Sequence, residues 1–131
     1  LDKAKKLFGQ LEMNVREMDP VEHDKHIAYV SHLSHITSFM LGKTVVEKET
    51  NEQNIFDMAG SGFASTVRLA KSSPEMWMPI FIQNKHNVLE SLTEYISNLN
   101  AFKDKLAADA HAELLAEMKD INKIKSILEH K

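Results

Sequence analysis

The sequence contains no cysteine, and glycine, proline and tryptophan are scarce, with four, three and one residues among 131. The lack of cysteine excludes disulfides and thiolate-bound metal centres. No apolar run approaches the ~20 residues that cross a membrane, and no charged-then-apolar signal segment opens the chain. We therefore expect a cytoplasmic protein with no membrane partner. Because the chain begins at Leu1 and not at a methionine, we interpret it as a piece of a longer protein.

Neither sign of charge is in large excess. Lys and Arg number 16 and Asp and Glu number 19, so the formal net charge is -3. The lysines are spread out and are not interleaved with aromatic residues, which argues against a nucleic-acid partner. With 43% hydrophobic and 27% charged residues, the composition predicts a soluble globular domain with one core.

The few glycines and prolines, and the apolar residues at helical spacing, predict an all-α, multi-helix domain with a long central helix. Asp19 followed by Pro20 marks a helix start, because aspartate caps free N–H groups and proline fits the first turn. Gly42 marks the end of that helix, and the polar run 47–53 indicates a connection or a frayed turn. The predicted helices span residues 2–16, 20–41, 55–59, 74–107 and 110–129, the last one capped by Asp109.

The longest predicted helix carries apolar residues at heptad spacing. Such a seam packs against another helix, and the last predicted helix supplies a partner within the chain. Leu89 and Ile96 widen the apolar stripe beyond what one partner covers, so we also expect a helix from a second subunit, in an intertwined helical homodimer. The seam consists of Phe81, Val88, Leu92, Tyr95, Leu99, Phe102 and Leu106.

Seven histidines occur in the chain, and four of them, including His32 and His35, fall in the second predicted helix. Because residues three apart share a helix face, this pair can project into a polar pocket. A metal site is a second interpretation, although the spacing of three with no glutamate between differs from the zinc-protease pattern. Ordinary surface or half-buried histidines are the third interpretation, and the residues alone leave all three open.

A glycine-flanked turn followed by an arginine is the strongest local signal for a ligand. Ser61 and Gly62 open a short helix whose free N–H groups can bind an anion. Arg68 follows among apolar positions, and a guanidinium can hold a carboxylate through two parallel hydrogen bonds. An ion pair of Arg68 with Asp57 or Glu75 is an equally good interpretation of the sequence.

Four short motifs occur in order between Asp19 and Trp77. They are Asp19-Pro20-x-Glu22-His23-Asp24, Ser31-His32-Leu33-Ser34-His35, the glycine turn with Thr66-x-Arg68, and Ser72-x-Pro74-x-Met76-Trp77. In this order they resemble the C-terminal helical domain of prephenate dehydrogenases, over a stretch that runs from Asp19 to about Lys105. The resemblance implies one helical domain, with residues 1–16 as a lead-in helix from a preceding domain and 19–131 as the helical core.

The resemblance also implies roles for five residues. His35 would hydrogen-bond the substrate, and Arg68 would hold a carboxylate of prephenate. Ser61 and Gly62 would lend backbone N–H groups near the substrate. Trp77 would lie near the dimer interface and shape the pocket, although a lone tryptophan is most often simply a core or interface residue.

Further implications of the resemblance concern the rest of the enzyme. The sequence has no Gly-x-Gly-x-x-Gly after a strand and no βαβ pattern, so NAD (or NADP) and the catalytic histidine would belong to an N-terminal Rossmann domain outside this chain. No cofactor would bind to the 131 residues, and they would be inactive alone. The whole enzyme would oxidise prephenate and release carbon dioxide, giving 4-hydroxyphenylpyruvate for tyrosine biosynthesis.

Alternative functions stay open on the sequence. The chain can be a purely structural helical association module, or one that senses tyrosine. It can also belong to a homologue specific for arogenate, the amino analogue of prephenate. The family often has a glycine at the place of Ser61 and a basic or polar residue at the place of Ala64, so the side chains here make different contacts.

Overall fold

Helices account for all regular structure in the computed structural model, which describes residues 1–52 and 54–129, so that Gln53, His130 and Lys131 lie outside it. The predicted all-α class is confirmed. The chain divides into two compact units, Leu1–Val88 and Leu89–Lys131. The α-helices are α1 (Asp2–Gln10), α2 (Pro20–Ile27), α3 (Leu33–Asn51), α4 (Ser61–Thr66), α5 (Pro74–Gln83), α6 (Lys85–Ala107), α7 (His111–Ile121) and α8 (Ile124–Glu129).

Helix α1 is shorter than the predicted 2–16 because its end is set by a local backbone motif. Glu12 adopts a positive φ of 54°. Its N–H bonds the carbonyl of Gly9, and the next N–H, of Met13, bonds the carbonyl of Phe8. This pair of bonds closes the helix at Gln10 in a Schellman motif, ten residues before Pro20, so the predicted end at residue 16 is wrong.

Helix α2 begins as predicted. The Asp19 carboxylate accepts hydrogen bonds from the backbone N–H groups of Val21 (2.9 Å) and Glu22 (3.4 Å), and Pro20 occupies the first turn. A single π-helical turn, Ala28–His32, then joins α2 to α3 without a break. Turns of this kind are rare and occur often at functional sites.

Helix α3 continues to Asn51, so the predicted end at Gly42 is wrong, and so is the connection predicted over residues 47–51. Gln53, also in the predicted connection, lies outside the described residues. Gly42 lies inside the helix, where a Cβ would meet only the Cβ of Ala70, at 3.8 Å. The chain turns instead beyond Glu49, whose carboxylate accepts the backbone N–H groups of Asn54, Ile55 and Phe56 at 2.7 to 3.1 Å. A short 3₁₀ turn, Phe56–Met58, stands where the 55–59 helix was predicted.

Buried Ser38 fastens the following segment to α3. Its hydroxyl donates to the carbonyl of Thr66 (3.1 Å) and accepts from the N–H of Ala70 (3.0 Å), and Ser38 is 2% exposed. The two bonds lie on either side of Arg68, the first residue of the 3₁₀ turn Arg68–Lys71. The segment that carries Arg68 is therefore held against the helix that carries His35.

The predicted helix 74–107 is divided at Asn84 into α5 and α6. Its start is confirmed, because the Ser73 hydroxyl accepts from the N–H of Met76 (3.3 Å) and Pro74 is in the first turn. The division follows from a tertiary contact. The Asn84 side chain donates to the carbonyl of Asp24 at 2.6 Å, and Asn84 is 9% exposed.

The second unit contains most of α6, with α7 and α8. Helix α6 ends in another Schellman motif, with Asp109 at a φ of 54° and the N–H of Ala110 bonded to the carbonyl of Lys105. The prediction that Asp109 caps the last helix is therefore wrong, and that helix is broken between Ile121 and Ile124. Only the last part of the seam is exposed in the single chain: Leu99, Phe102 and Leu106 remain 51%, 42% and 53% exposed, whereas Val88 is buried.

No described helix has both the length and the apolar character needed to cross a membrane.

Ser38→Ala and Gly42→Ala test the attachment of the Arg68 segment to α3. Ser38→Ala is expected to lower the free energy of unfolding by about 1–3 kcal/mol, because it leaves two backbone groups without their partner. Gly42→Ala is expected to raise it by about 0.5–1 kcal/mol, because alanine fits the space and favours the helix. Urea titration followed by circular dichroism measures both.

The matched control is Ser65→Ala, since Ser65 is exposed. Its effect should stay within about 0.5 kcal/mol. A Ser38→Ala variant as stable as this control would contradict the bridging role of the hydroxyl.

Candidate functional site

His35 and Trp77 form the centre of the candidate site. Their ring centroids are 3.5 Å apart and the ring planes are inclined by only 27°, so the rings are stacked. His35 lies in α3 and Trp77 in α5, and both are partly buried. The stack therefore joins two of the motifs that the sequence analysis selected separately.

One hydrogen bond fixes the tautomer of His35. Its Nδ1 lies 3.0 Å from the carbonyl oxygen of Ser31, one turn earlier. A carbonyl only accepts, so a neutral His35 carries its proton on Nδ1. Nε2 has no hydrogen-bond partner among the described residues and is left as an acceptor for a hydroxyl group from outside the chain.

His32 lies behind the stack and is buried, with 6% exposure. Its Nδ1 is 3.3 Å from Nδ2 of Asn84, which can only donate, so His32 accepts there and carries its proton on Nε2 when neutral. Its ring meets Trp77 and Phe81 edge-on, at centroid distances of 6.1 and 6.2 Å. Two histidines three residues apart are thus held in opposite tautomers.

Burial also controls the charge of His32. Desolvation lowers the pKa of His32 below its ordinary value of 6.5. Asp24 raises this pKa, while His35 and His23 lower it. The net shift is downward, so His32 is a neutral, buried group near pH 7.

The indole N–H of Trp77 is buried and has no hydrogen-bond partner within the part of the chain that the structure describes. An unmade bond of this kind costs about 1–3 kcal/mol. An apolar groove of about 280 Å³ lies beside the same ring. Its lining residues are Ile36, Phe39, Met40, Pro74, Trp77, Met78 and Phe81.

The glycine turn forms the helix start that the sequence predicted. Gly60 precedes α4, and its carbonyl accepts the N–H of Ala64 (3.1 Å). The N–H groups of Ser61 and Gly62 have no acceptor among the described residues, and both residues are exposed. They are oriented as the free donors of a helix start.

Arg68 is exposed at the start of its 3₁₀ turn. Within residues 1–52 and 54–129, it has no ion pair with Asp57 or Glu75, so that interpretation of Arg68 is wrong there. Glu75 instead accepts from the Ser73 hydroxyl at 2.8 Å, a bond that lowers the pKa of the Glu75 carboxyl. The guanidinium is free to meet an anion from outside the chain.

The five predicted site residues are thus brought together only in part. His35 and Trp77 are in direct contact. The segment with Arg68 is attached to α3 through Ser38, three residues after His35, but no hydrogen bond joins Arg68 to either ring in the described part of the chain. Ser61 and Gly62 begin the helix that precedes this segment.

Sequence reasoning missed Asn84. It donates to Asp24 and His32, and its Oδ1 accepts from the Nδ2 of Asn87 at 2.7 Å. Asparagine disfavours helix interiors because its side chain competes for backbone groups. Two asparagines three apart inside a predicted helix were therefore a usable signal for a buried polar contact.

The histidines of α2 and its π turn do not assemble a metal centre, since no group of three or more metal-ligating side chains occurs among the described residues. His23 instead pairs with the neighbouring Asp24, at 3.1 Å between Nδ1 and Oδ1.

Comparison with known proteins identifies the family of the domain that carries this site. Residues 19–120 match the family described as prephenate dehydrogenase, dimerization domain. The prephenate dehydrogenase of Bacillus subtilis (strain 168) is 29% identical over 107 residues, which cover 79% of this chain and 28% of that protein. The cyclohexadienyl dehydrogenase of Zymomonas mobilis is 26% identical over 112 residues, covering 85% of this chain and 38% of that protein.

Solved structures of similar fold are also dehydrogenases. The prephenate dehydrogenase of A. aeolicus, in complex with hydroxyphenyl propionate and NAD+, superposes with a TM-score of 0.86 and 34% identity, covering 96% of this chain and 44% of that chain. The Synechocystis arogenate dehydrogenase, with a TM-score of 0.81 and 21% identity over 97% of this chain and 46% of that chain, shares the fold. The chain spans less than half the length of each of these relatives.

The opposite tautomers of His32 and His35 are directly measurable. Long-range ¹H–¹⁵N correlation spectra above pH ~7 should report the proton on Nε2 of His32 and on Nδ1 of His35. Exposed His86 provides the reference for a ring that exchanges freely between tautomers. The same tautomer at both positions would refute the hydrogen-bond assignment.

The lowered pKa of His32 predicts how stability depends on pH. Below its ordinary pKa of 6.5, His32 takes up a proton in the unfolded chain but resists it in the folded one. Its contribution to the free energy of unfolding is therefore complete above that pH and is lost as the pH falls. When the pH is lowered from about 7 to about 5.5, the urea midpoint of unfolding should fall more for the parent than for His32→Asn.

His86→Asn serves as the control, and it should retain the pH dependence of the parent. Equal pH dependence in the parent and in His32→Asn would contradict the lowered pKa.

Proposed function

Because this chain belongs to the prephenate dehydrogenase family as its dimerization domain, we propose that it forms the substrate-binding half of a dimeric, cytoplasmic dehydrogenase. The whole enzyme passes a hydride from the ring carbinol of prephenate to NAD (or NADP), while the ring carboxylate leaves as carbon dioxide. The product is 4-hydroxyphenylpyruvate, a precursor of tyrosine. The cofactor performs the redox step and is bound, with the catalytic histidine, by an N-terminal Rossmann domain.

The observation that carries the proposal is the way in which His35 is held, by one hydrogen bond and one ring stack. Its Nδ1 is bonded to Ser31, its ring rests on Trp77, and its Nε2 is an unused acceptor. An imidazole held by two contacts with one nitrogen free is well suited to orient a substrate hydroxyl or other polar group. The solved relative with bound hydroxyphenyl propionate supports an aromatic acid as the ligand class.

Arg68 provides the charge that such an acid requires. It has no ion pair in the described part of the chain, and the free N–H groups of Ser61 and Gly62 precede it on the same segment. Together they offer one charged and two neutral donors to a carboxylate. Because Arg68 is exposed in the single chain, we propose that the nucleotide-binding domain or the partner subunit covers it and excludes water.

The dimer has support from the exposed apolar surface of the second unit. Monomeric proteins rarely expose many large apolar side chains on neighbouring turns. In α6 to α8 the chain does so at Leu89, Ile96, Leu99, Phe102, Leu106, Leu115, Met118, Ile121, Ile124, Ile127 and Leu128, which are 42% to 60% exposed. A second copy that covers this surface accounts for it, and for the dimerization domain to which the chain is similar.

A module that only associates, or that senses tyrosine, is the alternative. It predicts that no residue of this chain affects the Michaelis constant for prephenate. Relatives named as cyclohexadienyl and arogenate dehydrogenases make arogenate the second substrate to assay.

Arg68→Ala in the full-length enzyme tests the binding role. Loss of a charge-assisted pair in a dry pocket costs about 2–5 kcal/mol, so kcat/KM for prephenate should fall by about two to four powers of ten. Steady-state kinetics with prephenate and with arogenate provide the measurement. Arg16→Ala is a matched control, because Arg16 is the other arginine and is also exposed.

An unchanged kcat/KM in Arg68→Ala would support the association module instead. The 131-residue chain alone is the blank of this assay, and it should show no turnover with NAD.

The dimer is tested by light scattering of the 131-residue chain at several concentrations. We expect a mass near twice 14.9 kDa, because the apolar surface of the second unit needs a covering partner. Leu99→Glu, which places a charge on that surface, should shift the mass to that of a monomer. A monomeric parent would show that this surface does not drive association.

A further inference from the structure

The side chain of Asn84 ties together three parts of the first unit. Its Nδ2 donates to the carbonyl of Asp24 in α2 (2.6 Å) and lies 3.3 Å from Nδ1 of His32 in the π turn. Its Oδ1 accepts from Asn87 in the first turn of α6 (2.7 Å). With both ends of the amide engaged, the side chain has one orientation, and so does the histidine that accepts from it.

His32 passes this constraint to the aromatic rings. Its ring packs nearly perpendicular to those of Trp77 and Phe81, with centroid distances of 6.1 and 6.2 Å and interplanar angles of 76° and 71°. Trp77 and Phe81 are themselves 5.6 Å apart. The opposite partner of Trp77 is His35, stacked at 3.5 Å. A continuous set of contacts thus runs from Asn84 through His32 and Trp77 to His35.

The indole depends on these contacts because it has no hydrogen bond to fix it. Trp77 Nε1 is buried without a partner among the described residues. Only ring contacts and packing therefore define the plane of the indole. The ring of His32 is one of three such contacts among the described residues, and it is oriented by a hydrogen bond from Asn84, 52 positions along the chain, whereas the hydrogen bond of His35 is to Ser31, one turn earlier.

We propose that His32, oriented by Asn84, is a positioning residue for the substrate-binding His35: it holds the Trp77 ring on which the His35 imidazole stacks. This inference rests on the proposed function, in which His35 binds the substrate. His32 acts through Trp77 and does not touch the substrate. The specificity of the site for a correctly placed hydroxyl group then depends on a buried histidine and a buried asparagine that the binding surface does not include.

The side chain of histidine suits this position for two separable reasons. Its ring provides an edge for the neighbouring aromatic faces, and its Nδ1 accepts the second N–H of Asn84, which would otherwise be buried with no acceptor there. His32→Asn keeps an acceptor near the position of Nδ1 but removes the ring. Asn84→Ala keeps the ring but removes the group that orients it.

Trp77 is the only tryptophan, so its fluorescence reports on this contact without labelling. In the 131-residue parent, the anisotropy should decay only with the tumbling of the protein. His32→Asn and Asn84→Ala should each add a sub-nanosecond component, because the indole gains local freedom. His86→Asn, an exposed histidine, is the control and should behave as the parent does. A parent-like decay in both variants, with helical circular dichroism retained, would overturn the proposal.

A second measurement follows His35 itself. Stacking on Trp77 should shift the ring protons of His35 upfield in the parent, and this shift should diminish in His32→Asn and in Asn84→Ala. Neither this measurement nor the anisotropy needs a substrate. They therefore test the positioning of His35 even if prephenate is not the substrate. The kinetics of the Arg68→Ala variant test separately whether the chain binds prephenate.

Kinetics of the full-length enzyme complete the test. In His32→Asn we expect KM for prephenate to rise about two- to tenfold, the effect of losing one aromatic contact, with kcat changed less than twofold. In a Trp77→Leu background, His32→Asn should not raise KM further, because the contact between His32 and Trp77 is already lost. An unchanged KM in a His32→Asn enzyme with a mobile Trp77 would overturn the positioning role, and so would full additivity with Trp77→Leu.

Discussion

The two hydrogen bonds of the Ser38 hydroxyl are the constraint on which the arrangement of the site depends. Ser38 is buried in the first half of α3, and it bonds both Thr66 and Ala70, two residues before and two residues after Arg68. Glu49 of α3 holds residues 54–56 by hydrogen bonds, but without the Ser38 bonds the chain from there to Pro74 would be attached to α3 mainly through apolar contacts, which have no direction. The hydroxyl therefore sets the register of the Arg68 segment against the helix that bears His35.

A second buried polar side chain, Asn84, holds the residues that precede α3 in place. Asn84 interrupts what the sequence predicts as one long helix, and its amide joins α2 to the start of α6. Buried polar groups of this kind are costly unless they are satisfied, and here both ends of the amide have partners. His35, between Ser38 and the rings held by His32, thus belongs to the most constrained part of the first unit, whereas Arg68 and the glycine turn are exposed.

This contrast fits a domain that supplies one wall of a binding site. The aromatic stack is complete within one chain, whereas Arg68 and the N–H donors of the glycine turn are exposed. A carboxylate bound there is strongly held only where water is excluded. The exposed apolar side chains of α6 to α8 support our proposal that a partner subunit covers the domain.

The sequence by itself determined the helical class, the start of α2 at Asp19 and Pro20, the start of α5 at Ser73 and Pro74, and the family. Caps and periodicity are local, and short motifs survive without knowledge of the fold. Only the tertiary structure decided that α3 runs through Gly42, that Asn84 divides the long helix, that Arg68 has no partner in the described part of the chain, and that His35 stacks on Trp77. The contact of Asn84 with Asp24 and the stack of His35 on Trp77 join residues more than 20 positions apart, and such contacts form only when the helices pack.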